Sequence, residues 1–164
     1  IIAVKNDVKE IVVYQYSIAT SENIEIYCVN LETENPEFIY NFGEETNAKA
    51  SFSEPKKYIY IPNNSILKSG SFNLLSEKLK VEKLHPNTHI YTSENYISNF
   101  PGRILEMKII SSKEIKKGEK WNVISKNHPF SPAEIEKKYK IKQGGKDYLI
   151  FTQSQSGKII LKTV

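Results

Sequence analysis

The residues best placed to do chemistry are lysines and aromatic side chains in the last third of the 164-residue chain. Nine lysines between positions 116 and 146 are interleaved with Trp121, His128, Phe130 and Tyr139, and Tyr148 follows. Lysine ammonium groups neutralise phosphates, and an exposed aromatic ring stacks on an unpaired base. We expect Trp121 and Tyr139 to be core residues, because large aromatic side chains dominate packing. Arg103 is the sole arginine, which leaves little bidentate base readout, so if this stretch binds RNA it would contact the backbone and read its shape.

Charge is divided unequally along the chain. Residues 1–54 carry a net charge of −7 and residues 55–164 a net charge of +11, which the formal total of +4 conceals. A basic segment favours a polyanionic partner, since phosphate contacts drive nucleic-acid affinity. The predicted RNA-binding residues are the sole arginine and four others in the basic part, namely Arg103, Lys126, His128, Lys142 and Lys146.

Two alternatives to RNA binding stay open at this point. Lysines are also common surface residues that keep a protein soluble. Net charge affects solubility and association rather than the fold. The acidic and basic parts could also dock on each other or on a sister subunit, which would make the chain a non-catalytic structural or protein-interaction module.

No pattern in the sequence supports catalysis by this chain alone. It contains no G-x-G-x-x-G, Walker or G-x-S-x-G pattern, and the pair Gly144-Gly145 follows a predicted helix, which indicates a helix C-cap. Two histidines, His85 and His89, are too few ligands to complete a zinc site. Cys28 alternates with isoleucines along the sequence, which is typical of a thiol packed in the core. We predict no catalytic residue, no metal and no cofactor in these residues.

Composition sets the class of protein. With 39% hydrophobic and 26% charged residues, the chain is an ordinary globular sequence. A single cysteine fits a reducing, cytoplasmic location, and no apolar run reaches the roughly 18 residues of a membrane span. The chain begins with strand-like Ile1–Val4 and without methionine, so we expect a fragment whose catalytic domain lies upstream.

Periodicity and capping signals predict an α+β fold of small mixed β-sheets. Asn6 is read as the cap of a helix to about Tyr16, with a β-branched strand at 11–13 as the alternative, and residues 43–55 are read as a loop. Asn63 caps a helix that Gly70 kinks or splits. Ser131, Pro132 and Glu134 form the start of another helix with a capping box. From residue 103 the predicted order is β-α-β-α-β-β.

Several long strings then appear in a distinctive order. They are YIPNNSILKSGSF at 60–72, LHPNTHIYTS at 84–93, FPGR at 100–103, NHPFSP at 127–132 and KIKQGGKDYL at 140–149. In this order they resemble the C-terminal region of a bacterial family of class I S-adenosylmethionine-dependent methyltransferases with a THUMP-like domain. The resemblance covers about residues 56–164.

The resemblance implies a domain plan and a function. Residues 1–52 would end or join the methyltransferase domain, 53–95 would form a small ferredoxin-like connecting domain, and 96–164 would form the THUMP-like domain. The full-length protein would use S-adenosylmethionine to methylate RNA, either tRNA or rRNA. The part formed by this chain would bind the RNA substrate. The chain departs from the family pattern at His128, where another aromatic is expected, and at Ile61, where an acidic residue is more usual.

Overall fold

The structure is a computed structural model that describes residues 1–14 and 24–164. The chain divides into two compact units. The first comprises Ile1–Ser51, Ile61–Val81 and Ile97–Arg103, and the second comprises Phe52–Tyr60, Glu82–Tyr96 and Ile104–Val164. Strands and short helices occur in both, and both sheets mix parallel and antiparallel pairs, so the predicted α+β class is confirmed.

The first unit contains a four-stranded sheet among the described residues. Its strands are β1 (Ile2–Val4), β2 (Asp7–Glu10), β3 (Glu25–Leu31) and β4 (Phe38–Asn41), in the order β2-β1-β3-β4. Strand β1 is parallel to β3 and antiparallel to β2. The alternation in β3 buries Cys28 completely, so the predicted packed thiol is confirmed, and burial raises the pKa of this thiol.

The helix predicted from Asn6 is wrong for the residues that the structure describes. Lys5 and Asn6 both adopt positive φ, 49° and 67°, and form the turn of a hairpin that joins β1 to β2. Pairing with β1 therefore outweighs the local helix signal. Residues 11–13 form neither the helix nor the alternative strand, and Tyr16 lies outside the described residues.

Three short helices complete the first unit. They are α1 (Glu44–Asn47), α2 (Asn64–Ser69) and α3 (Phe72–Leu79). The Asn63 side chain caps α2 by accepting the Ile66 N–H at 3.2 Å, and Gly70, at φ 77°, ends this helix before α3 begins, as predicted. Helix α1 lies in the stretch predicted as a loop, and a single turn of this kind has no periodic signal.

A longer sheet lies mainly in the second unit, while residues 61–62 and 102–103 at the ends of two of its strands belong to the first unit. Its strands are β5 (Tyr58–Pro62), β6 (Glu82–His85), β7 (Thr88–Ser93), β8 (Gly102–Ile110), β9 (Lys120–Ser125), β10 (Lys142–Ser154) and β11 (Gly157–Thr163), in the order β6-β7-β5-β8-β11-β10-β9. A 3₁₀ turn (Ser112–Glu114) follows β8, and helix α4 (Pro132–Tyr139) connects β9 to the parallel strand β10. The predicted order from residue 103 is thus confirmed, with the first helix reduced to a 3₁₀ turn.

Helix α4 covers one face of this sheet and has the predicted cap. Ser131 and Glu134 form the reciprocal capping box, with Pro132 in the first turn. Ile135 is completely buried and packs with six other core residues, namely Ile110, Trp121, Val123, Ile141, Leu149 and Phe151. The prediction that Trp121 belongs to the core is confirmed, and Tyr139 packs against the same cluster while remaining partly accessible.

The predicted role of Gly144-Gly145 as a helix C-cap is wrong. Helix α4 ends one turn earlier, because Lys140 itself adopts the left-handed conformation at φ 55° and closes the helix. Both glycines lie within β10, where the register with β9 shifts between Gln143 and Tyr148. Their positive φ angles of 118° and 96° allow the backbone to bulge there.

Candidate nucleic-acid interface

The stretch from Lys108 to Lys162 carries thirteen lysines and only five carboxylates. Among the described residues, none of these lysines takes part in a salt bridge; the ion pairs found involve lysines at positions 5, 9, 56, 57 and 78. The stretch therefore has an excess of eight positive charges, and its lysines make no direct ion pair among the described residues. Such an excess of positive charge is the electrostatic feature that phosphate binding requires.

The carboxylates of this stretch serve local structure instead. Glu119 accepts the Lys116 backbone N–H at 3.0 Å and the Trp121 indole N–H at 3.1 Å, and these bonds lower its pKa. The hydroxyl and backbone N–H of Ser131 lower the pKa of Glu134 in the same way. The lowered pKa values keep Glu119 and Glu134 ionised, and their oxygens accept hydrogen bonds from nearby N–H and O–H groups.

Six exposed lysines belong to segments that meet at the start of β9 and β10. The Gly118 N–H donates to the Lys140 carbonyl, the Lys142 N–H donates to the Glu119 carbonyl, both at 2.9 Å, and Lys120 lies opposite Lys142 in the sheet. We call this group the lysine edge, and it consists of Lys116, Lys117, Lys120, Lys140, Lys142 and Lys146.

The glycine bulge of β10 places Lys146 in the lysine edge. Asn122 on β9 donates its side-chain N–H groups to the carbonyls of Gly145 at 2.9 Å and Asp147 at 3.2 Å, which fixes the bulge. A Cβ on Gly145 would lie 3.2 Å from the Lys120 carbonyl oxygen, so a side chain there would crowd the neighbouring strand. The bulge thus brings a further ammonium group beside β9.

Two cross-strand pairs in this sheet bring like charges opposite each other. Lys120 faces Lys142 across β9 and β10, and Lys108 faces Lys162 across β8 and β11. Like charges directly opposite in a sheet are destabilising. A bound polyanion would offset this repulsion, because each ammonium group would attract a phosphate.

A cavity of about 350 Å³ lies on the face of the sheet that α4 covers. We call it the aromatic cavity; its floor includes Ile110, Phe151 and Ile160, its walls include His128 and Tyr139, and Lys158 stands at its side. The His128 and Tyr139 rings lie 5.6 and 5.5 Å from the Phe151 ring, centroid to centroid. An apolar floor between aromatic walls with an adjacent cation suits the insertion of one unpaired base.

His128 is held in the form that stacks well. Its Nδ1 accepts the Phe130 backbone N–H at 3.3 Å, which fixes the ring orientation. Burial, together with the charges of Lys158 and Lys138, lowers its pKa, so the ring is neutral at pH 7. The Lys138 ammonium lies 4.7 Å from the Phe130 ring centre and adds a second cation near this loop.

The predicted RNA-binding residues fall into separate groups. Lys142 and Lys146 belong to the lysine edge, while Lys126 and His128 follow the other end of β9, about 17 Å away by the rise of a strand. Arg103 lies in the first unit and is exposed. The sequence analysis included Lys120 and Tyr139 among the basic and aromatic residues of this stretch but did not select them as binding residues, and it missed Lys158. The register of β9 with β10 places Lys120, the packing of α4 places Tyr139, and Lys158 lines the aromatic cavity.

Neither a metal site nor a membrane-spanning helix is found in the described residues. No group of three or more His, Cys, Asp or Glu side chains suited to a metal ion occurs in the described part of the chain. No helix within residues 1–14 and 24–164 has the length and apolar character needed to cross a membrane.

Comparison with known proteins identifies two stretches of the chain. Residues 58–101 match the family model of a ferredoxin-like domain, and residues 103–163 match that of a THUMP domain-like family. The chain thus carries ferredoxin-like and THUMP-like domains. The lysine edge and the aromatic cavity both lie within the THUMP-like match.

A solved structure is similar to nearly the whole chain. It is the crystal structure of a "putative methyltransferase from Porphyromonas gingivalis W83", with a TM-score of 0.79 and 30% sequence identity over 98% of this chain. This chain spans 43% of the length of that protein. No curated protein matches the chain.

Proposed function

We propose that this chain is the RNA-recognising part of a bacterial S-adenosylmethionine-dependent RNA methyltransferase that acts in the cytoplasm on tRNA or rRNA. The observation that carries the proposal is the set of lysines between 108 and 162 that have no salt bridge within the described residues, together with an aromatic cavity that Lys158 lines. Two further facts support it: THUMP domains generally bind RNA, and the similar solved structure is that of a "putative methyltransferase". The proposed domain plan is the one predicted above, with boundaries near 52 and 95.

The proposed division of labour follows from the chemistry of the two sites. The lysine edge binds consecutive phosphates as point charges without reading sequence. The aromatic cavity accepts one unstacked base between His128 and Tyr139. Together they would hold a strand whose end or loop is unpaired, and an upstream domain would carry out the transfer.

The methyl donor is assigned to that upstream domain because the residues of this chain do not fit it. Class I cofactor sites use a glycine-rich turn between a strand and a helix. In the described residues, such junctions contain at most one glycine, Gly43 before α1, while Asn63 precedes α2 and no glycine lies between β9 and α4. We therefore assign the methyl transfer to the upstream domain and not to residues of this chain.

A salt series with the whole chain and tRNA tests the proposal. We expect log K to fall linearly with log salt, and the K142Q/K146Q variant to make that slope shallower by about 1.5 to 2. The K49Q/K68Q variant removes the same charge from exposed positions of the first unit and should leave the slope unchanged. An affinity that is independent of salt, or equal slopes for the two variants, would contradict the proposal.

One feature of the first unit also fits the alternative function, in which the chain is a non-catalytic protein-interaction module. The sheet of the first unit leaves several large apolar side chains exposed, including Tyr27 and Ile39, which lie opposite each other on β3 and β4, and Leu31. We assign this face to contact with the upstream methyltransferase domain. Concentration-dependent self-association in light scattering, without any tRNA binding, would favour the alternative instead.

A further inference from the structure

A second cavity, of about 480 Å³, lies entirely within the first unit and has a different character. Its lining is dominated by amide and cationic side chains, and we call it the polar cavity. The lining includes Lys5, Asn6, Asn30, Asn35, Asn63 and Arg103.

Three of the asparagines are locked into a chain of hydrogen bonds. The Asn6 backbone N–H donates to the Asn30 side-chain oxygen at 2.8 Å, Asn30 donates to Asn35 at 3.0 Å, and Asn35 donates to the Gly102 carbonyl at 3.2 Å. Asn30, at the centre of this part-buried network, is only 4% exposed. The wall of the polar cavity is therefore preorganised, which lowers the cost of ligand binding.

Asn63 contributes a donor that the protein leaves unused. Its side-chain oxygen is directed at helix α2, where it accepts the Ser65 hydroxyl at 2.6 Å and the Ile66 N–H at 3.2 Å. Its Nδ2 has no hydrogen-bond partner among the described residues, although Asn63 is only 3% exposed. A buried, unsatisfied donor costs about 1–3 kcal/mol, so it indicates that an acceptor belongs there.

The cations of the polar cavity are held by strained or crowded backbone. Lys5 sits in the left-handed hairpin turn, and its ammonium pairs with Glu32 at 2.9 Å in an exposed contact that a ligand can displace at little cost. Arg103 follows Gly102, where a Cβ would lie 2.2 Å from the Ile61 carbonyl oxygen. Only glycine allows this approach, and Arg103 beside it lines the cavity.

The lining contains no aromatic ring, so the polar cavity offers no stacking surface for a base. It offers two cations, a buried unpaired amide donor and a rigid polar wall, which is the complement of a phosphate. We propose that the polar cavity is a phosphate-binding site of the first unit. This site does not depend on RNA binding by the THUMP-like domain, and its ligand is either a free phosphorylated metabolite or a phosphate of an RNA strand.

Nuclear magnetic resonance of the ¹⁵N-labelled whole chain tests the site directly. Inorganic phosphate, titrated against sodium chloride at matched ionic strength, should shift the side-chain amide signal of Asn63 saturably. The R103Q variant should raise the dissociation constant about tenfold. The K68Q variant removes the same charge from an exposed position outside the cavity and should change it less than twofold.

A second variant tests the site from the Asn63 side. N63D keeps the oxygen that caps α2 but replaces the unpaired donor by a carboxylate oxygen that repels phosphate, so phosphate should no longer shift the side-chain amide signals of Asn30 and Asn35 while α2 stays capped. Repeating the titration with a nucleoside monophosphate and with a single-stranded RNA identifies the source of the phosphate. No saturable shift of Asn63, or equal weakening in R103Q and K68Q, would overturn the proposal, whatever the THUMP-like domain does with tRNA.

Discussion

At the residue scale, His128 is the side chain whose identity matters most for the aromatic cavity. It stands where the resembling family has another aromatic residue, and its neutral ring meets Phe151 and Phe130 at 5.6 and 5.7 Å between centroids. A stacked base contributes about 1–3 kcal/mol to binding. We expect H128A to weaken binding of an RNA with an unpaired end about tenfold and H128F to preserve it, as measured by fluorescence anisotropy. A blunt duplex serves as the control, and equal losses for both RNAs would contradict a stacking role.

His89 carries a second residue-scale prediction, which concerns pH. Burial, and then the charges of Lys83 and Lys126, lower its pKa from 6.5 to about 4. A histidine with a depressed folded-state pKa binds its proton in the unfolded state first, so stability is complete above about pH 6.5 and falls as pH drops towards 4. Urea unfolding at pH 7 and pH 5 should differ by about 1 kcal/mol, once solvent screening is considered.

The H89Q variant isolates this effect from other acid-sensitive groups. It removes the titrating ring, so its free energy of unfolding should change less between pH 7 and pH 5 than that of the parent chain. An identical pH dependence in both proteins would show that His89 does not cause the loss.

At the element scale, helix α3 depends on a residue that lies far from it in sequence. Its N-cap residue, Ser71, makes no capping hydrogen bond through its side chain. Glu45 on α1 instead accepts the N–H groups of Asn73 at 2.8 Å and Leu74 at 2.7 Å. We expect E45A to lower the free energy of unfolding by about 1–2 kcal/mol, because a helix terminus loses a charged cap. Equilibrium urea unfolding measures this change, and exposed Glu34, substituted as E34A, provides the control that should lose far less.

The same scale explains which elements could be predicted from the sequence. The caps at Asn63 and Ser131 and the break at Gly70 were predictable, because their chemistry is complete within four residues. The hairpin at Lys5 and the bulge at Gly144-Gly145 depend on partners from other strands, Asn30 and Asn122, which no local window contains. For the candidate site, the lysines were visible in the sequence, but their grouping at one edge follows from the register of β9 with β10.

At the scale of the whole molecule, the positive surface of the THUMP-like domain lowers the stability of that domain. Two of its carboxylates, Glu119 and Glu134, accept N–H and O–H groups, and Lys120 lies opposite Lys142 in the sheet. Sheets gain about 0.2–1 kcal/mol from each opposite-charge pair and lose free energy from like pairs. A surface selected for stability alone would have mixed signs at these positions, whereas a phosphate-binding surface would not.

Reversing one charge should therefore move stability and affinity in opposite directions. The K142E variant turns the Lys120–Lys142 contact into an attractive pair, so its free energy of unfolding should rise by about 0.5 kcal/mol at low salt. Its affinity for tRNA should fall more than tenfold, because two units of charge change beside the phosphates. Urea unfolding and anisotropy on the same preparation measure both effects, with K68E as the matched reversal outside the lysine edge. If K142E lowered the free energy of unfolding, the two lysines would not repel each other as inferred. If it left the affinity for tRNA unchanged, the lysine edge would not be a phosphate-binding surface.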